Sequence, residues 1–171
     1  GDANADNATA SADNGNEDGV EITLQGSVPG VDGLSLGAGY AKLDKSAEGA
    51  DGADDTDTHE GTAYAKYTYG GLSVGVQRGV VNIAGLNDQT FDSEYIGISY
   101  AVSDNLSVSY NEIDSRKSQE GTDIDQDMDS ISISYTMGGM TLGILDADAD
   151  NHGYTVGKTT SARSVSLSIA F

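Results

Sequence analysis

Apolar and small polar residues alternate along most of this chain, most cleanly at its end. Val165, Leu167, Ile169 and Phe171 alternate with Ser164, Ser166, Ser168 and Ala170. Successive side chains of a strand point to opposite faces, so one face is apolar and the other small and polar. The same alternation predicts eight earlier strands, at about Val20–Ser27, Leu34–Leu43, Thr62–Tyr69, Leu72–Arg78, Glu94–Val102, Leu106–Ile113, Ser130–Met137 and Met140–Ile144. Short turns join them in pairs at Pro29-Gly30/Asp32-Gly33, Gly70-Gly71, Ser103-Asp104-Asn105 and Gly138-Gly139. Longer, acidic stretches follow the other strand ends: about Asp44–Glu60, a loop reaching Thr90, Asp114–Asp127 and Asp146–Thr160.

The pairs repeat. Tyr67-Thr68-Tyr69-Gly70-Gly71-Leu72-Ser73-Val74-Gly75-Val76 and Tyr135-Thr136-Met137-Gly138-Gly139-Met140-Thr141-Leu142-Gly143-Ile144 are the same hairpin twice. Strand starts at Leu34, Leu72, Leu106 and Met140 recur about every 34 to 38 residues, a period that marks a repeated supersecondary unit. Short turns at one end and long loops at the other are the pattern of a transmembrane β-barrel, with lipid outside and water inside. Tyr67, Tyr100 and Tyr135 each stand three residues before a short turn on the apolar face. With Phe171 they are expected to form an aromatic girdle at the periplasmic interface; Tyr40 and Tyr110 sit where an outer girdle belongs.

Composition narrows the reading. The 171 residues include 8 Lys and Arg against 28 Asp and Glu, a net charge of -20 that argues against nucleic-acid binding. There is no Cys, hence no disulfide framework. No run approaches the roughly 18 to 20 apolar residues of a spanning helix. Residues 1–19 read as an acidic extracellular loop or disordered segment, and 20–171 as barrel. Asp146-Ala147-Asp148-Ala149-Asp150 imitates the start of a calcium loop, but Asn151 and Gly157 stand where its glycine and closing glutamate belong. Asp123, Asp125, Asp127 and Asp129 alternate on one side, and the acidic segment suits a solvated loop better than a lipopolysaccharide-bridging cation site. His59 and His152 are isolated, and no nucleophile–base set is present. No catalytic residue, metal or cofactor is therefore assigned.

The glycine-glycine hairpins, the acidic stretches and the closing Ser164–Phe171 strand together resemble Gram-negative general porins, particularly the alphaproteobacterial kind, over Val20 to Phe171. The resemblance implies an outer-membrane, homotrimeric, 16-stranded barrel that passes small hydrophilic solutes and ions and contacts outer-membrane lipid and lipopolysaccharide. Nine strands is an odd number, so the expectation is a C-terminal portion of such a barrel with about seven strands elsewhere. The pore-narrowing loop of the family is then expected outside this sequence. The small polar faces supply the pore-lining candidates: Tyr64, Lys66, Thr68, Ser73, Gln77, Ser99, Ser107, Ser109, Asn111, Ser132, Ser134, Ser166 and Ser168. Acidic loops predict a negative outer mouth that favours cations. Arg78 and Arg163 share parity with lipid-facing residues and are expected to snorkel or meet lipid phosphates. The alternatives are an eight-stranded barrel serving as anchor or adhesin, and a soluble acidic β-protein.

Overall fold

The computed structural model describes residues 17–45, 56–84 and 88–170. They form nine strands: β1 (Glu17–Ser27), β2 (Leu34–Lys45), β3 (Thr56–Tyr69), β4 (Leu72–Ile83), β5 (Gln89–Ala101), β6 (Leu106–Gln119), β7 (Thr122–Met137), β8 (Met140–Asp150) and β9 (Thr160–Ile169). Each strand pairs antiparallel with its sequence neighbour, in the order β1 to β9, and β1 and β9 are the two edges. The register is continuous along every pair, so residue parity assigns each side chain to a face. The face carrying Val165, Leu167 and Ile169 is called outer here, and the opposite face inner.

All nine predicted strands and all four short turns are present, but the strands run further at their other ends. The stretch expected as a loop at Asp114–Asp127 is the far half of β6 and β7, turned by Glu120-Gly121 with φ of 28° and 76°. Asp146–Asp150 belongs to β8, and His59 and Glu60 to β3. The reason is a reversal of pattern. Near the short turns the outer face is apolar and the inner face polar. Further along β7 the outer positions become Asp129, Asp127, Asp125 and Asp123, while the inner ones include Met128 and Ile124. The two halves conceal one continuous strand. At the other end, Glu17–Gly19 are strand rather than loop.

The sheet has no hydrophobic core of its own. Among the described residues the buried apolar set is Ala149 alone, and Thr58 and Ser115 are the buried polar ones. Leu24 is 78% exposed and Leu167 62% exposed, on the two edge strands. A single layer with this much bare aliphatic surface cannot be stable in water, where folding depends on burying it. This observation sets the soluble reading aside.

The apolar belt crosses the sheet obliquely. On the outer face the first charged residue above the belt is Asp146 on β8, Asp129 on β7, Glu112 on β6, Glu94 on β5, Arg78 on β4 and Lys42 on β2. Followed through the register, this boundary climbs four rungs of about 6.7 Å over six strand steps of about 4.8 Å, which corresponds to strands inclined by roughly 40° to the membrane normal. Tyr135, Tyr100 and Tyr67 climb along the turn-side edge in the same sense. Tyr110 and Tyr40 lie one outward position below Glu112 and Lys42, at the upper edge. Phe171 lies outside the described residues.

Candidate functional site

The inner face is a wall of small polar side chains. Tyr64, Lys66, Thr68, Ser73, Gln77, Ser99, Ser107, Ser109, Asn111, Ser132, Ser134, Ser166 and Ser168 all fall on it by register. Hydroxyls pair across strands, with Thr68 Oγ1 3.0 Å from Ser73 Oγ, Ser109 Oγ 2.7 Å from Ser132 Oγ, and Thr136 Oγ1 3.1 Å from Thr141 Oγ1. Such pairs satisfy one another sideways and leave the wall flat. Gln77 Nε2 donates to Thr62 Oγ1 at 3.1 Å, and Asn111 Nδ2 to Ser130 Oγ at 3.5 Å.

A recess of about 530 Å³ opens on this face between Tyr64, Lys66, Gln77, Tyr95, Ser99 and Asn111. Gly37 makes room for the Tyr64 ring. A Cβ there would stand 2.2 Å from Tyr64 Cε1, so the tyrosine ring lies flat over bare backbone. Tyr95, Glu60 and Lys117 also face inward and escaped the sequence reading; Ser130, which alternates with Ile131 on the predicted strand, faces inward as well.

Charge is divided unequally between the faces. Among strand residues with described side chains, twelve carboxylates point outward (Asp57, Asp92, Glu94, Glu112, Asp114, Asp123, Asp125, Asp127, Asp129, Asp146, Asp148 and Asp150) and two, Glu21 and Glu60, point inward. Lys66 and Lys117 also point inward, so the described wall is close to neutral despite the chain's charge of -20.

The outward arginines meet carboxylates on the next strand. Arg78 donates from Nε to Asp92 Oδ1 at 3.0 Å and from Nη2 to Asp92 Oδ2 at 2.6 Å. Arg116 holds Asp125 in the same two-pronged way at 2.6 and 3.3 Å, and Arg163 holds Asp146. Lys42 Nζ lies 3.3 Å from Asp57 Oδ2. Above the belt, the hydrogen bond from Arg116 holds the Asp125 carboxyl below the usual carboxylate range. Asp146, Asp148 and Asp150 stand about 6.7 Å apart along one strand face, a spacing that does not converge on one ion. Among the described residues no group of three metal-ligating side chains forms. His59 accepts or donates a 2.9 Å bond between its Nδ1 and the Tyr40 hydroxyl.

Comparison with known proteins supplies the remaining evidence. Residues 1–169 match the Gram-negative porin family. No curated protein sequence matches the chain. Among solved structures, the fold is similar to OmpT, an outer membrane protein of Vibrio cholerae. The variant lacking loop L8 superposes with a TM-score of 0.71 at 13% identity, covering 90% of this chain and 53% of that one. OmpT expressed in the outer membrane gives 0.67 at 15% identity, with 88% and 54% covered. The in-vitro-folded form gives 0.67 at 13%, with 88% and 52% covered. The chain thus spans about half the length of the structures it matches.

Proposed function

The chain belongs to the Gram-negative porin family, and from that premise we propose that it forms one side of a water-filled channel through the bacterial outer membrane, open to small hydrophilic solutes and ions by passive diffusion. One observation carries this reading. Nine adjacent strands present an oblique apolar belt outward and a wall of hydroxyls and amides inward, with no core between them. A sheet so built needs lipid on one side and water on the other.

The wall also suits a wide barrel. A closed eight-stranded barrel fills its interior with packed side chains. Here the inner positions are mostly Ser, Thr and Gly, and β1 and β9 pair with no strand among the described residues. We read the sheet as part of a larger closed barrel of about 16 strands, assembled as a trimer. No bond is broken or made in this role, and the inner residues act as a wetted surface rather than as catalysts.

A cation preference, where present, arises at the acidic outer rim and not in the wall. Rim charges act through solvent, with a screening length of about 8 Å at physiological salt. The preference is therefore expected to fade as salt rises. The native protein reconstituted in planar bilayers tests the whole reading. Stepwise ohmic conductance is expected; a protein that folds and inserts yet passes no current would overturn it. Reversal potentials that favour anions at both low and high salt would remove the rim argument alone. Chemical cross-linking in detergent tests the trimer, whose expected product is a three-fold ladder.

A further inference from the structure

The loop between β8 and β9 does not stand away from the sheet. It lies across the inner face of β7, β6 and β5, the last two of which pair with neither β8 nor β9. The Tyr154 hydroxyl is 2.6 Å from Ser115 Oγ, which is itself 2.7 Å from Ser93 Oγ. Ser115 is among the few buried residues of the sheet, at 6% exposure. The Tyr154 ring packs on Phe91 at 5.4 Å between centroids, and Lys117 Nζ lies 5.8 Å from the same Phe91 ring. The Gly153 amide donates to Gln126 Oε1 at 2.7 Å, and Asn151 Nδ2 donates to the Asp125 carbonyl at 2.9 Å. The loop also staples itself. The Gly157 amide donates to Asn151 Oδ1 at 2.8 Å, and the His152 amide to the Lys158 carbonyl at 2.9 Å.

The backbone supports a held loop. Tyr154 has φ of 54° and Asn151 of 50°. An aromatic residue rarely adopts the left-handed region unless its surroundings impose it. A loop folded away from the wall would leave this conformation without compensation and strip its aromatic neighbour from the inward-facing Phe91. Ser115 and Ser93 sit one inward rung above Ile113 and Tyr95, the latter two lining the inner recess. The tucked loop therefore lies over the outer approach to that recess.

We propose that the β8–β9 loop is a built-in constriction, anchored by Tyr154, that narrows the outer half of the lumen and sets the size limit of solutes reaching the wall around Tyr64, Lys66 and Gln77. This rests on the channel reading above. It also moves a pore-narrowing element into this sequence, where the family resemblance placed none.

The test uses the native protein in planar bilayers and in liposomes swollen by neutral sugars of increasing size. Three variants are compared with wild type: Tyr154→Ala, Tyr154→Phe, and residues 152–158 replaced by a short Gly-Ser turn. Folding of each is checked by heat-modifiable gel mobility. The loop replacement is expected to raise single-channel conductance by roughly 1.5-fold and admit larger sugars, with Tyr154→Ala in the same direction and Tyr154→Phe closer to wild type. A conducting wild type whose loop replacement folds but keeps the same conductance and sugar limit overturns the constriction and leaves the channel reading standing. A wild type that inserts and conducts nothing overturns both.

Discussion

At the scale of single residues, side chains here answer to what lies on their own side of the sheet. Arg116 and Asp125 face water above the belt and bond each other across two strands. Because Asp125 sits below its unfolded value, the pair contributes stability that is fully present above the ordinary carboxylate range and is lost as pH falls through the lowered value. Titrating the Asp125 carboxyl by NMR in detergent should give a midpoint below that of a free aspartate, and Arg116→Leu should return it toward the ordinary range. An unchanged midpoint in the variant would mean that the hydrogen bond does not set it. Gly37 gives the second prediction. Gly37→Ala forces the Tyr64 ring off the backbone and is expected to cost about 1–3 kcal/mol. Urea unfolding from lipid vesicles measures this; a loss near zero would show that the ring moves freely off the backbone.

At the scale of elements, the hairpin is the unit. The repeated Gly70-Gly71 and Gly138-Gly139 turns place Gly70 and Gly138 at φ of 56° and 59°. Gly70→Ala and Gly138→Ala should each destabilise the barrel by about 1 kcal/mol, since a Cβ disfavours that region. The same unfolding measurement checks it, and equal losses at the two sites are expected from equal geometry. The turns at this end were legible because glycine pairs interrupt a clean alternation. The far ends of the strands were not. There the outer face meets water, aspartates replace isoleucines, and inward Ile124 and Met128 reverse the pattern. A reader of hydropathy sees an acidic loop where the backbone continues its ladder.

At the scale of the whole molecule, net charge and the charge of the inner face separate. Among strand residues with described side chains, twelve carboxylates point outward, while two lysines and two glutamates point inward. Lys66→Glu, on the wall of the recess, is expected to shift the reversal potential toward cations. Asp127→Asn with Asp129→Asn, on the outer surface, should leave it nearly unchanged at physiological salt, although it alters the net charge by the same two units. Bilayer reversal potentials decide between position and total charge. An equal shift from both variants would show that the outer acids act through the wall.

The sequence by itself determined the strand count, the antiparallel order, the short turns and the two-faced wall. Each of these is written in local alternation with period two, or in glycine positions, and needs no distant contact to be read. Only the tertiary structure decided the rest. The oblique belt and its roughly 40° inclination exist only once register aligns Asp146 with Ile131 and carries that row across to Leu34. The Arg78–Asp92 and Arg163–Asp146 pairs bring together residues separated by 14 and 17 positions. The docking of Tyr154 on Ser115 spans 39 positions and two strand steps. No periodicity announces such contacts, because they depend on where a loop comes to rest against a wall built by other segments.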